Sequence, residues 1–164
     1  MKKLLLQYAQ YNVWANQRVT DVLMNLDDAT LNKEVPSSFN SLYKTILHLW
    51  DVESVWWQRL KLVENPEWPG VVFNGNILEL TNNLLQQSKQ WKEWIDLSTE
   101  AALQHEFIYR NSKKEQFKQP VCEALLHLFN HQTFHRGQLI TMLRHVEGVK
   151  NIPNTDLISY LRKK

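Results

Sequence analysis

Residues 127–138 read HLFNHQTFHRGQ. Histidine recurs at 127, 131 and 135. Residues four apart on a helix are neighbours, with Cβ atoms about 5–6 Å apart, so the three rings share one stripe. At about 100° per residue, His127 and His135 fall about 40° to either side of His131, and Ala124, Gln138 and Met142 lie on the same stripe. Leu125, Phe129, Leu139, Ile140 and Leu143 form the adjoining apolar face. The histidines therefore border the core instead of facing solvent. The period continues in both directions. It predicts one long helix from Pro120, a residue suited to a first helical turn, to about Glu147, with Gly148 as its stop.

Three other segments carry the same period. Residues 3–25 place Leu4, Tyr8, Tyr11, Ala15, Val19 and Val22 on one face. Residues 42–62 follow Ser41, a good N-cap; Ile46, Leu49, Trp56, Trp57 and Leu60 fall within about 60° of Leu42. Residues 77–97 repeat the pattern with Ile77, Leu80, Leu84 and Trp91. Residues 27–30 start a turn or short helix, and 36–40 is a loop. So is 65–76, which holds Pro66, Pro69, Gly70 and Gly75. Between the third and fourth helices, residues 106–110 and 116–119 flank the polar tip 111–115 and predict a short β-hairpin. Residues 156–162, capped by Thr155, predict a short last helix. Four long amphipathic helices predict an all-α four-helix bundle with a β-hairpin insertion between helices 3 and 4 and a short C-terminal helix. A chain of 164 residues is expected to form one domain over 1–164.

Bulk properties exclude several classes. The net charge is +2, and no basic block exceeds Arg162-Lys163-Lys164, so the basic stripe of a nucleic-acid binder is missing. No run approaches the roughly 20 apolar residues of a membrane helix. The start, MKKLLLQYAQYN, lacks the roughly 7–15-residue apolar stretch of a signal peptide. Cys122 is the one cysteine, which suits a reducing compartment. A cytoplasmic protein is expected. Cys122 lies half a turn from the histidine stripe and reads as a small packing residue.

Two histidines one turn apart can bind one ion at roughly 2.0–2.1 Å per nitrogen. His127 and His135 are about 12 Å apart along the axis, at about 1.5 Å per residue. The pair is therefore 127/131 or 131/135, and spacing does not choose. His145 is too far along to join either. A third ligand is available in His48, at the edge of the apolar arc of residues 42–62. Three protein ligands leave a position for water or substrate, the mark of a catalytic zinc site. The bland alternative is that the histidines are hydrogen-bonded core residues.

Smaller signals surround this set. Glu53 falls about 20° from Leu42, inside the apolar arc, where a carboxylate needs a partner. It is a candidate general base or an outer partner of the metal. Otherwise it forms an ion pair with Arg18 or Arg59, or sits on an exposed rim. Arg136 points off the stripe and reads as structural, whereas Gln138 is placed to orient a ligand. Gly137 inside a helix costs about 1 kcal/mol relative to Ala, which close approach of a neighbouring helix would explain. Asn12 and Trp14 read as packing or bundle-end hydrogen bonding. Trp50, Trp56 and Trp57 sweep too wide an arc to be core together.

Four stretches carry a resemblance: YNVWANQRV (11–19), SFNSLYKTILHLWDVESVWWQRL (38–60), NHQTFHRGQL (130–139) and PNTDLISYLR (153–162). The chain resembles the DinB family of the DinB/YfiT-like metalloenzyme superfamily over nearly its whole length. The resemblance implies a four-helix bundle with a three-histidine site for a divalent metal, commonly zinc or nickel. It implies His48, His131 and His135 as the ligands, thereby choosing the pair that spacing leaves open. It also implies a homodimer, which is common on general grounds.

Three functions fit. The first is a metal-dependent enzyme acting on a small molecule, by hydrolysis or, as the resemblance admits, by low-molecular-weight-thiol S-transfer. The second is a metal- or ligand-binding helical module without turnover. The third is a structural protein whose histidines pack. No Ser-His-Asp order, P-loop or dinucleotide fingerprint is present.

Overall fold

Leu5, Ala9, Asn12, Ala15, Asn16, Val19 and Leu23 recur every three or four residues and are all buried, and they define α1, Lys2–Leu23. A computed structural model describes residues 1–149 and 151–162. After α1 come α2 (Asp28–Asn32), α3 (Leu42–Leu60), α4 (Ile77–Leu97), α5 (Glu100–Gln104), β1 (Glu106–Arg110), β2 (Gln116–Pro120), α6 (Val121–His145) and α7 (Leu157–Leu161).

Local chemistry sets the boundaries. Ser41 accepts a hydrogen bond from the Lys44 N–H and caps α3. Asn76 and Glu79 form a reciprocal capping box at the start of α4, satisfying two otherwise orphaned donors. The expected bounds of α4 hold at both ends. The α3 helix ends two residues early, with Leu62 at φ +58° donating to the Arg59 carbonyl. The short α5, capped by Thr99, was not expected. Pro120 closes β2 and stands before α6 in an extended conformation, so it is not the first helical residue. Gly148 has the expected positive φ, +87°, but the helix ends at His145. Asp156, not Thr155, occupies the cap position of α7. The β1–β2 hairpin is antiparallel, pairing Glu106 with Pro120 and Arg110 with Gln116.

The four long helices form the bundle. Helices α1 and α3 each pack against both α4 and α6, so α1–α3 and α4–α6 are the diagonals. One apolar cluster joins Leu5 and Ala9 to Trp56, Ile95 and Leu128. A second joins Val19 and Leu23 to Leu42, Leu80 and Leu143. These memberships fix the directions: α1 and α6 run one way, α3 and α4 the other. Because α3 and α4 are parallel, the chain between them must return along the bundle. It does so against α3: Tyr43 donates to the Gly75 carbonyl, and Asp51 accepts from the Gly70 N–H. The hairpin packs on the opposite end, where Tyr109 meets Trp56. Cys122 is partly buried against the first cluster, as a packing residue would be. No helix of the described residues is long and apolar enough to cross a membrane.

Between the two apolar clusters lies a polar layer to which every long helix contributes. Arg136 of α6 donates to Asn12 and Asn16 of α1. Asn12 donates to Glu53 of α3 at 2.7 Å. Ser88 of α4 lies 2.9 Å from both Glu53 oxygens and accepts from Asn16. All five side chains are at most 1 % exposed. A buried guanidinium is thus linked to a buried carboxyl through two amides.

Candidate metal centre

Helix α3 supplies His48, and α6 supplies His131 and His135 one turn apart. One ring nitrogen from each lies within 4.8 Å of the others. His48 Nε2 and His131 Nε2 are 3.3 Å apart. Three histidines gathered this closely can bind a metal ion. The rings are braced from both sides: Phe39, in the loop before α3, stacks on His48 at 4.1 Å, and Phe134 meets His135 edge-on at 5.0 Å. Phe39 carried no periodic signal, because it lies in a loop.

The electrostatics suit donor nitrogens. His135 Nδ1 lies 2.8 Å from Gln138 Oε1, which can only accept, so Nδ1 is the donor. Gln138 in turn donates to Ser38. These two bonds hold the His135 ring in place from α6 and from the loop before α3. Burial, then the neighbouring His135, pushes His48 down to about 4. Burial and the other histidines push His131 down to about 3. Both rings are neutral at pH 7. His131 Nδ1 is buried with no hydrogen-bond partner.

The remaining histidines stay outside the cluster. His127 is exposed, its ring tilted against Trp56 at 5.3 Å and 6.0 Å from His131. The exposed His145 donates to the Thr141 carbonyl. Trp56 is buried, while Trp50 and Trp57 are half-buried. Gly137 has no neighbour that an added Cβ would meet, so no close helix explains it. Instead it helps line an open hollow of about 500 Å³ with Val35, Phe134 and Gln138.

Glu53 departs from its expected surroundings. It is fully buried, so it is not on a rim. Its hydrogen bonds go to Asn12, Asn16 and Ser88. Neither Arg18 nor Arg59 pairs with it. Arg18 donates to the Asn154 carbonyl, Arg59 lies over Trp56, and the cation that acts on Glu53 is Arg136. The residues that sequence reasoning missed here are Asn16 and Ser88. The available signal was a polar pair, Asn12 and Asn16, one turn apart on the apolar stripe of α1.

Burial pushes the Glu53 carboxyl up from 4.5 to about 7, against the pull of its hydrogen bonds and of Arg136. The folded state therefore holds this proton more tightly than the unfolded chain does. The associated stabilisation is complete below pH 4.5 and is lost as pH rises through about 7. Glu53→Gln should remove the effect, since Gln can accept from Asn12 and donate to Ser88. Denaturant titrations at about pH 5 and pH 8 should show the native protein losing on the order of 1–3 kcal/mol more than the variant. Equal losses would refute the shift.

The chain is 30% identical over 172 residues to Protein DinB of Bacillus subtilis (strain 168), with 93% of this chain and 90% of that protein covered. The crystal structure of a DinB-like protein from Bacillus cereus ATCC 10987 superposes with a TM-score of 0.71 at 20% identity, covering 92% of this chain and 94% of that one. The family model described as DinB family matches residues 1–163. With a whole-length family match, a relative of this identity and the bundle itself in agreement, the chain belongs to the DinB family.

Proposed function

We propose that His48, His131 and His135 hold a divalent metal ion, zinc or nickel, and that the protein is a metal-dependent enzyme acting on a small molecule. The observation that carries this is the convergence of the three rings. Two nitrogens at roughly 2.0–2.1 Å from one ion at a tetrahedral angle are about 3.3–3.4 Å apart, and His48 and His131 stand at 3.3 Å. In addition, among the described residues the one polar contact of the His131 ring is another imidazole nitrogen, a poor partner for a partly buried ring, and an ion at Nε2 supplies a better one.

Bound there, such an ion would acidify a coordinated water or thiol, which makes hydrolysis and low-molecular-weight-thiol S-transfer the two reaction types proposed. The chain's own residues set the stage. Gln138 accepts from His135 Nδ1 and holds that ring, while Phe39 stacks on His48 and Phe134 meets His135 edge-on. A second reading, a metal-binding module without turnover, is favoured by one observation: Glu53 is committed to the buried polar layer and cannot serve substrate as a base.

Elemental analysis of tag-free protein, purified without nickel resin or chelator, tests the first step. About one equivalent of zinc or nickel is expected. No metal, and no uptake on adding Zn²⁺ or Ni²⁺, would sink both metal readings. Gln138→Ala should weaken metal binding by about 10–100-fold, the usual effect of losing a partner behind a ligand. Competition with a chromogenic chelator measures this, and unchanged affinity would remove Gln138 from the site.

A further inference from the structure

Arg59 stands in the last turn of α3, and among the described residues it forms no ion pair. Its guanidinium lies over two rings, 4.8 Å from the centroid of Trp56 and 5.5 Å from that of Tyr109. Its Nε is buried without a hydrogen-bond partner. Among the described residues the ion pairs are those of Met1 with Glu100 and Lys118 with Glu106, so no carboxylate neutralises Arg59. Burial pushes this guanidinium below its usual value, so the group is held charged in a place that disfavours charge.

The surroundings form a small receptor. A hollow of about 230 Å³ is lined by Arg59, Tyr109, Arg110 and Gln116, with Leu62 and Glu64 among its walls. Two cations thus face one carboxylate. Rings that hold a guanidinium by its flat face leave its in-plane N–H edges free. Those edges match an oxyanion, which takes two parallel charged hydrogen bonds. Leu62, at φ +58°, is in a conformation that leucine disfavours, and such strain collects at ligand sites.

A line of aromatic contacts leads from the hollow towards the histidine centre, and since Arg59 follows His48 on α3 by about 16 Å of helix, a molecule that reaches both is an extended one. Trp56 carries Arg59 on one side and meets His127 at 5.3 Å, and His127 meets His131 at 6.0 Å. We propose that this hollow binds an oxyanion group, carboxylate or phosphate, of the small molecule acted on at the histidines, with Arg59 as the principal donor. The link to substrate rests on the metal-dependent reading above; the anion site itself does not.

The test uses the whole, chelator-treated protein labelled with ¹⁵N. Sodium acetate, sodium phosphate and sodium chloride are titrated at matched ionic strength while the Arg59 Nε–H and Trp56 indole N–H resonances are followed. A shift that saturates with acetate or with phosphate is expected, and whichever saturates identifies the group. In Arg59→Gln the Trp56 response should weaken by at least about tenfold. Shifts that never saturate and match those with chloride would overturn the proposal. So would an Arg59→Gln protein with unchanged affinity. Should that variant fail to fold, the Arg59 resonance in the native protein still decides. Repeating the titration in His131→Ala separates the two ideas, because anion binding that survives there stands even if the metal reading falls.

Discussion

Replacing Arg136 with methionine is expected to destabilise the protein by about 2–6 kcal/mol, chiefly because two buried amide oxygens lose their donor at about 1–3 kcal/mol each. Arg136 is 1 % exposed and Glu53 fully buried. Methionine fills much of the volume but donates no hydrogen bond. Asn12 and Asn16 then lose the donor that both of their carbonyl oxygens share. Nothing else in the layer carries positive charge towards Glu53. The double variant Arg136→Met/Glu53→Gln should recover part of the loss, because the orphaned carboxyl is gone. Urea titrations of the two single variants and the double variant measure the coupling. If the double variant loses the full sum of the single losses, the relayed pair is not an energetic unit.

Removing one ring of the proposed donor set should have a comparably large effect on metal binding while sparing the fold. His131→Ala is expected to weaken zinc affinity by more than about 100-fold, beyond what losing an outer partner costs. His48→Ala and His135→Ala should do the same. His127→Ala, four residues from His131 on the same stripe, should leave affinity nearly unchanged, because its ring lies outside the cluster. Chelator competition on the four variants ranks them. If His127→Ala costs as much as His135→Ala, the donor set is misassigned.

The helices were legible because burial imposes a 3.6-residue period, and Ile77–Leu97 could be bounded to the residue. Direction was not legible. Residues 61–76 carry loop chemistry, and nothing in it says whether the next helix turns back or runs parallel. The five residues of α5 span little more than one turn, too short for a period to show. At the site, helical spacing put His131 beside both neighbouring histidines, and only the position of α3 across from α6 brings His48 to one side of it. Glu53 was read correctly as lying on the apolar arc. Its counter-charge was sought on Arg18 and Arg59, whereas the true one, Arg136, follows 83 residues later and acts through amides. No pattern along the chain encodes such a relay.

The polar layer also bears on how the chain is made. Synthesis delivers Asn12, Asn16, Glu53 and Ser88 well before Arg136, so the first three long helices leave the ribosome holding a carboxyl whose cation has not yet been translated. Their two apolar clusters likewise await Leu128 and Leu143. Assembly is therefore expected to wait for the last long helix instead of proceeding stepwise from the N-terminus. A fragment ending at residue 120 should show helical signal without a cooperative unfolding transition, and a sharp transition in that fragment would mean that the first three helices hold together alone.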